Sequence, residues 1–191
     1  MTPARLDQLL PVLQRCEWLC ECLEIAARVN APDWWIGAGA IRDVVWGERF
    51  GHGFEPRMVK DVDLGFFDPA DLSPERDAEI RSQLCSHPPA RKWDAKNQAA
   101  VHLWYPRRFG VAVQPFANTE DAVATFPEYA TCVAVRRTSS GSWDVAAPHG
   151  LDDLLDGVWR RNPTRVTEAE YEARLRRKDP GRLWPGVPVL R

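Results

Sequence analysis

Asp61 and Asp63 stand two residues apart in Lys60-Asp61-Val62-Asp63-Leu64. On a strand, both side chains project from one face. Carboxylates this close repel each other unless a cation lies between them. Hard oxygen donors on one side of a strand suit Mg²⁺ or Mn²⁺. The plainer alternative is an exposed strand face with two solvated acids. Upstream, Trp35-Ile36-Gly37-Ala38-Gly39-Ala40-Ile41-Arg42-Asp43 reads as an apolar strand, a glycine-containing turn and a helix start. Backbone N–H groups at such a turn can cradle phosphate, helped by the helix N-terminus. Gly39 lets a triphosphate approach without a Cβ clash. Arg42, on the first helical turn, can grip phosphate oxygens as a fork. The alternative is a tight turn with a local Arg42–Asp43 ion pair at the surface.

These residues need a scaffold, and the pattern supplies one. Residues 4–30 carry apolar side chains at a period near 3.6, which predicts helix, with a break at Pro11. Trp34 to Ile36 reads as a short buried strand. Val59 to Phe67 is the clearest strand, with Val62, Leu64 and Phe66 on one face and Asp61, Asp63 and Gly65 on the other. Lys60 then falls on the face opposite Asp61. Ser73-Pro74-Glu75 opens a helix to about Leu84. Arg91 to Asn97 reads as another strand, and Thr119 to Phe126 as a helix. Ala130 to Arg137 and Ser142 to Ala147 form a hairpin about Ser139-Ser140-Gly141. Gly150 to Trp159 and Thr167 to Lys178 read as amphipathic helices, the second with a capping box. Residues 179–191, with three prolines and two glycines, read as an irregular tail. Mixed helices and strands with a tight hairpin predict an α/β (α+β) fold: a mixed sheet backed by helices, after an N-terminal helical segment.

Composition narrows the classes. At 191 residues the chain is long enough for one core. Lys and Arg number 25 against 27 Asp and Glu, so wholesale electrostatic binding of nucleic acid is not expected. No apolar run of about 18 residues suggests a membrane span. The acidic residues of the first helical stretch do not fit a signal peptide. Five cysteines without framework spacing point to free thiols and a cytoplasmic location. Cys16, Cys20 and Cys22 cluster, but no histidine pair follows at zinc spacing, so buried thiols are expected.

Ala38-Gly39-Ala40-Ile41-Arg42-Asp43 followed by Asp61-Val62-Asp63 resembles the head of the DNA polymerase β-type nucleotidyltransferases. The style is that of the poly(A) polymerase and CCA-adding type, Gly-Gly-x-Val-Arg-Asp then Asp-x-Asp. This chain departs from it at the first glycine, where Ala38 stands, and a Cβ there narrows the room for phosphate. The chain more closely resembles a small bacterial nucleotidyltransferase-like family of unassigned substrate. That likeness rests on Gly37 to Arg42, Asp61 to Asp63, Trp93 to Ala99, His102 to Tyr105, Thr119 to Ala122 and Ala124 to Pro127.

The resemblance implies a nucleotidyltransferase domain over residues 1–165, with 166–191 a basic C-terminal helix and tail. It implies a third carboxylate on a later strand, best matched by Asp94, as metal ligand and proton acceptor. The metal ligands would be Asp61, Asp63 and Asp94, holding two Mg²⁺ or Mn²⁺ ions roughly 3.5–4 Å apart. Gly37, Ala38, Gly39, Ala40 and Arg42 would bind the nucleotide. The activity would move a nucleoside monophosphate from an NTP, ATP included, to an unknown acceptor: a small molecule, a protein side chain or an RNA end. Lys96, Asn97, Gln98 and His102 are candidate acceptor or nucleotide contacts; their alternatives are solvated, backbone-capping or wall residues. Trp104 and Tyr105 suit a cleft that stacks bases, or a core wall.

Residues 157–191 hold nine Lys/Arg and four Asp/Glu, a net +5 set against −2 for the whole chain. This can steer a polyanion or simply form a solvated helix face. Two rivals follow: a non-catalytic nucleotide-binding module, and an RNA-binding or toxin-type protein on the same fold.

Overall fold

The structure is a computed structural model that describes residues 2–138 and 140–190. Met1, Ser139 of the expected hairpin turn and Arg191 of the basic segment lie outside the described residues. Helices α1 (Pro3–Arg15) and α2 (Glu17–Val29) open the chain. The break expected at Pro11 falls instead at Cys16, whose backbone is extended. Pro11 lies exposed inside α1, where its missing N–H costs about 3 kcal/mol. Burial of Leu9, Val12 and Leu13, at about 1.5–3 kcal/mol each, outweighs that. Asn30 ends α2 in the left-handed conformation that asparagine tolerates.

Next come β1 (Trp35–Gly37), α3 (Gly39–Phe50), β2 (Val62–Phe66), α4 (Pro74–Cys85) and β3 (Trp93–Asn97). A short 3₁₀ turn leads from β3 into α5 (Val101–Phe109), followed by α6 (Thr119–Val123). The hairpin forms from β4 (Ala134–Arg137) and β5 (Trp143–Ala146). Then follow α7 (Asp152–Leu155), β6 (Trp159–Arg160), α8 (Glu168–Lys178), α9 (Pro180–Leu183) and β7 (Val189–Leu190). The helix expected from Gly150 to Trp159 shrinks to α7, because Gly157 turns the chain at φ +71° and Trp159 enters a strand. Residues 179–190 are not irregular: α9 forms, β7 pairs in parallel with β6, and Trp184 and Val187 are buried. The capping box on α8 is present, joining Thr167 and Glu170.

The main sheet has the order β3-β2-β1-β4-β5. β1 runs antiparallel to both neighbours, and β2 and β3 are parallel. Val62, Leu64 and Phe66 of β2, with Ile36, Ala95 and Val135, join residues of α1 to α4 in the large core. Residues at alternate positions face the other way. There Trp35, Ala134 and Ala146 pack with Val123 and Phe126 in a smaller cluster, and the rest of that face opens as a cleft. α8 and the segment that follows α9 fold back onto the large core through Tyr171, Leu175, Trp184 and Val187. Among the described residues, no helix is long and apolar enough to cross a membrane.

Candidate active site

The parallel pairing of β2 and β3 sets Asp63 directly beside Asp94. Asp61 stands just before β2, whose ladder begins at Val62. All three carboxylates border a cleft of about 830 Å³ on the open face of the sheet. Burial, then the charges of Asp61 and Asp94, push the Asp63 carboxyl up to about 7, against a downward pull from Lys178 and Arg42. Such crowding of like charge is what a divalent cation relieves, and the donors are hard oxygens. The carboxylates share the cleft without converging: among the described residues, no three His, Cys, Asp or Glu side chains gather at ligating distance. Lys96 Nζ lies 3.9 Å from Asp94 and 3.2 Å from Asp77, and Lys92 Nζ lies 3.8 Å from Asp61.

The three residues of the turn do different things. A Cβ on Gly37 would sit 2.9 Å from the Ala134 Cβ and 3.0 Å from the Val133 carbonyl oxygen, so this glycine serves close strand packing. Ala38 takes φ +59°, ψ −129°, a conformation natural to glycine, and its N–H donates to the Val133 carbonyl at 3.2 Å. A Cβ on Gly39 would meet only the Arg42 guanidinium, at 3.6 Å, so the space in front of it is open. The side chain of Ala40 is buried, which leaves its backbone. The first N–H groups of α3 have no partner within the helix. Those of Gly39 and Ala40 therefore face out of its positive end.

Arg42 differs from the surface residue that its alternative reading described. It is 3% exposed. Its Nε and Nη2 donate to Asp43 Oδ1 at 2.9 and 2.6 Å. Its guanidinium lies 5.8, 4.9 and 5.0 Å from the rings of Trp46, Trp159 and Trp184. A desolvated cation–π contact contributes about 2 kcal/mol or more. The charge therefore sits beneath the turn, with one edge reaching the cleft.

Lys96 and Gln98 border the cleft; Asn97 and His102 do not. Asn97 is 1% exposed, and its amide is committed to the backbone of Asp68, Asp71 and Ala99. It holds the β3 end together and has no donor left for a ligand. His102 lies beyond the cleft on α5, with a buried Nδ1 that has no hydrogen-bond partner among the described residues.

Other residues enter that the strand pattern did not place there. Lys60 borders the cleft, because it precedes β2 and escapes the alternation of the strand. Arg177 and Lys178 of α8 form part of the wall, and Arg174 is clamped by buried Glu128 at 2.6 and 3.0 Å. Burial and then Arg42 hold the Lys178 ammonium below its ordinary pKa. Phe109, Phe116 and Arg165 join Trp104 and Tyr105 at the cleft. Nothing local in the sequence marks Arg165 as a neighbour of Phe116, 49 positions away. The basic excess of residues 157–191 was the signal for Lys178.

The chain is similar to known proteins in three ways. The model of a family described as nucleotidyltransferase matches residues 24–189. An NMR structure described as a CCA-adding enzyme head domain is similar at a TM-score of 0.75 and 24% identity, over 94% of each chain. The Thermotoga maritima CCA-adding enzyme, solved in complex with tRNA, is similar at a TM-score of 0.58 and 12% identity. That match covers 96% of this chain but only 42% of the enzyme. These likenesses establish the fold, a mixed sheet backed by helices. No protein of curated function matches the sequence.

Proposed function

Because the chain belongs to the nucleotidyltransferase family, we propose that it moves a nucleoside monophosphate from an NTP to an acceptor, releasing pyrophosphate, in a metal-dependent reaction. The observation that carries this is Asp63 and Asp94 side by side on parallel strands, with Asp61 on the same cleft as the glycine turn. Asp61, Asp63 and Asp94 would hold Mg²⁺ or Mn²⁺. When bound, such ions neutralise the triphosphate and lower the pKa of the attacking hydroxyl.

The remaining work falls to the chain. The N–H groups of Gly39 and Ala40, at the N-terminus of α3, orient the phosphates. Gly37 and Ala38 shape that turn, and Lys60 and Lys178 add charge from two sides. Arg42 contributes its field from beneath, fixed by Asp43 and the three indoles. Lys96 and Gln98 border the acceptor side, next to Asp94. The Asp94 carboxylate accepts the proton as the acceptor oxygen bonds to the α-phosphorus. The bond from that phosphorus to the bridging oxygen breaks, and pyrophosphate leaves. Positioning and charge neutralisation dominate this chemistry.

Residues 1–165 carry the carboxylates and the turn, and residues 166–191 add the basic wall. The acceptor is a small molecule, a protein side chain or an RNA end; the tRNA complex of the Thermotoga maritima enzyme supports the last. Five free cysteines support a cytoplasmic location.

The test is pyrophosphate release from each of the four NTPs with Mg²⁺ or Mn²⁺, offering small RNA and a metabolite pool as acceptors. Release should vanish in Asp61→Ala/Asp63→Ala. NTP binding without release, in folded protein, would instead identify a nucleotide-binding module.

A further inference from the structure

The cleft has two chemically distinct halves. One holds the carboxylates, the open turn, Lys60 and Lys178. The other is lined by Trp104, Tyr105 and Phe109 of α5, with Phe116 and Arg165. Their rings are close: Tyr105 to Phe109 is 4.5 Å, Trp104 to Tyr105 5.8 Å and Trp104 to Phe109 6.5 Å between centroids. None of these rings belongs to either buried core cluster, and Phe109 is 45% exposed. They are not needed to fill either core. The Arg165 guanidinium lies 4.4 Å from the Phe116 ring and 4.9 Å from the Tyr105 ring. Among the described residues it has no hydrogen bond or ion pair to a carboxylate. Burial lowers its pKa, so the charge lacks an ionic partner there.

One ligand that satisfies both halves carries a polyphosphate at one end and a planar π-system at the other. Aromatic faces and guanidinium planes stack nucleobases. We propose that the Trp104–Tyr105–Phe109–Arg165 shelf holds the base of the NTP by stacking, so that ring area rather than base edge sets the preference and purine NTPs bind tighter than pyrimidine NTPs. This rests on the nucleotidyltransferase reading. Three polar side chains of the cleft favour stacking over edge reading, because each already commits a donor to the backbone. Gln98 Nε2 donates to the Lys96 carbonyl, Thr119 Oγ1 to that of Asp33 and Thr125 Oγ1 to that of Ala122. These three also border the cleft.

The experiment is calorimetric titration of the intact protein with ATP, GTP, CTP and UTP in Mg²⁺, beside inorganic tripolyphosphate as a base-free probe. Phe109→Ala and Arg165→Ala should each weaken all four NTPs by about tenfold or more. Both should leave tripolyphosphate unchanged. Trp104→Phe, which keeps a ring, should stay close to wild type, and thermal melts confirm that each variant folds. Unaltered NTP affinity in both alanine variants would overturn the assignment, as would a pyrimidine preference or an equal loss for tripolyphosphate. If pyrophosphate release continued while the alanine variants bound NTPs like wild type, the base would lie elsewhere and the nucleotidyltransferase reading would stand. If wild type bound tripolyphosphate but no NTP, both would fall.

Discussion

Ala38→Gly should make the protein more stable, which is unusual for a glycine substitution. Ala38 holds φ +59° and ψ −129°, where a Cβ is crowded by its own backbone. A residue held in such a region costs about 1–3 kcal/mol. Glycine removes that cost but loses about 0.5–1 kcal/mol through the greater freedom of its unfolded chain. The Ala38 methyl is only half-buried, so its loss subtracts a few tenths more. The net gain centres on about 1 kcal/mol and reaches at most about 2 kcal/mol, which raises the melting temperature by roughly 2–4 °C, and at most about 8 °C, for a chain of this size. Urea unfolding reads it directly as a higher midpoint at unchanged slope. Ala38→Val, with a branched Cβ, should move the midpoint the other way. A lower midpoint for the glycine variant would show that the turn is unstrained and that the alanine is there for stability.

The neighbouring glycines should separate packing from binding. Gly37→Ala should destabilise by about 1–3 kcal/mol, because its Cβ would press on Ala134 and the Val133 carbonyl. Gly39→Ala should leave the urea midpoint within about 1 kcal/mol yet weaken NTP binding about tenfold in calorimetry, the scale of one lost charge-assisted hydrogen bond. Asp63 should impose a pH slope in metal-free buffer. Its carboxyl keeps its proton to about pH 7 in the fold but ionises near 4 when unfolded. The folded state thus binds the extra proton, and stability falls as pH rises through that window. Asp63→Asn should flatten the fall in melting temperature between about pH 4 and pH 7, and an unchanged fall would reject the crowding of Asp63 by burial and its neighbours. Arg174→Ala strands the 1% exposed Glu128 side chain, and should cost about 3–5 kcal/mol in urea unfolding.

The sheet residues of the site were legible because strand alternation is a local rule. Val62, Leu64 and Phe66 go to the core and Asp63 to the cleft, as the period of two dictates. Asp94 needed more, since only a family resemblance links it to Asp63 across 31 positions. Local rules stop where elements stop. Lys60 lies outside the ladder and turns into the cleft, and Asn97, at the end of β3, is consumed by the chain reversal it stabilises. Pro11 shows tertiary burial overriding a local breaker. The opposite wall was hidden for another reason. Arg165 and Lys178 reach the cleft only through the packing of α8 and the tail against the large core, a long-range event without a short-range signature.

Recombination between related genes exchanges contiguous blocks, and the aromatic cage resists that exchange. Its cation comes from position 42, and its walls from 46, 159 and 184. A crossover anywhere between α3 and α9 would surround an inherited guanidinium with rings chosen in another lineage. Trp159 and Trp184 also stack on each other at 6.2 Å, so a smaller partner at either place leaves the buried charge with a gap instead of a wall. The glycine turn and the C-terminal segment should therefore travel together through evolution. A chimaera that swaps the segment alone should fold less well than one that swaps Arg42, Trp46, Trp159 and Trp184 as a set.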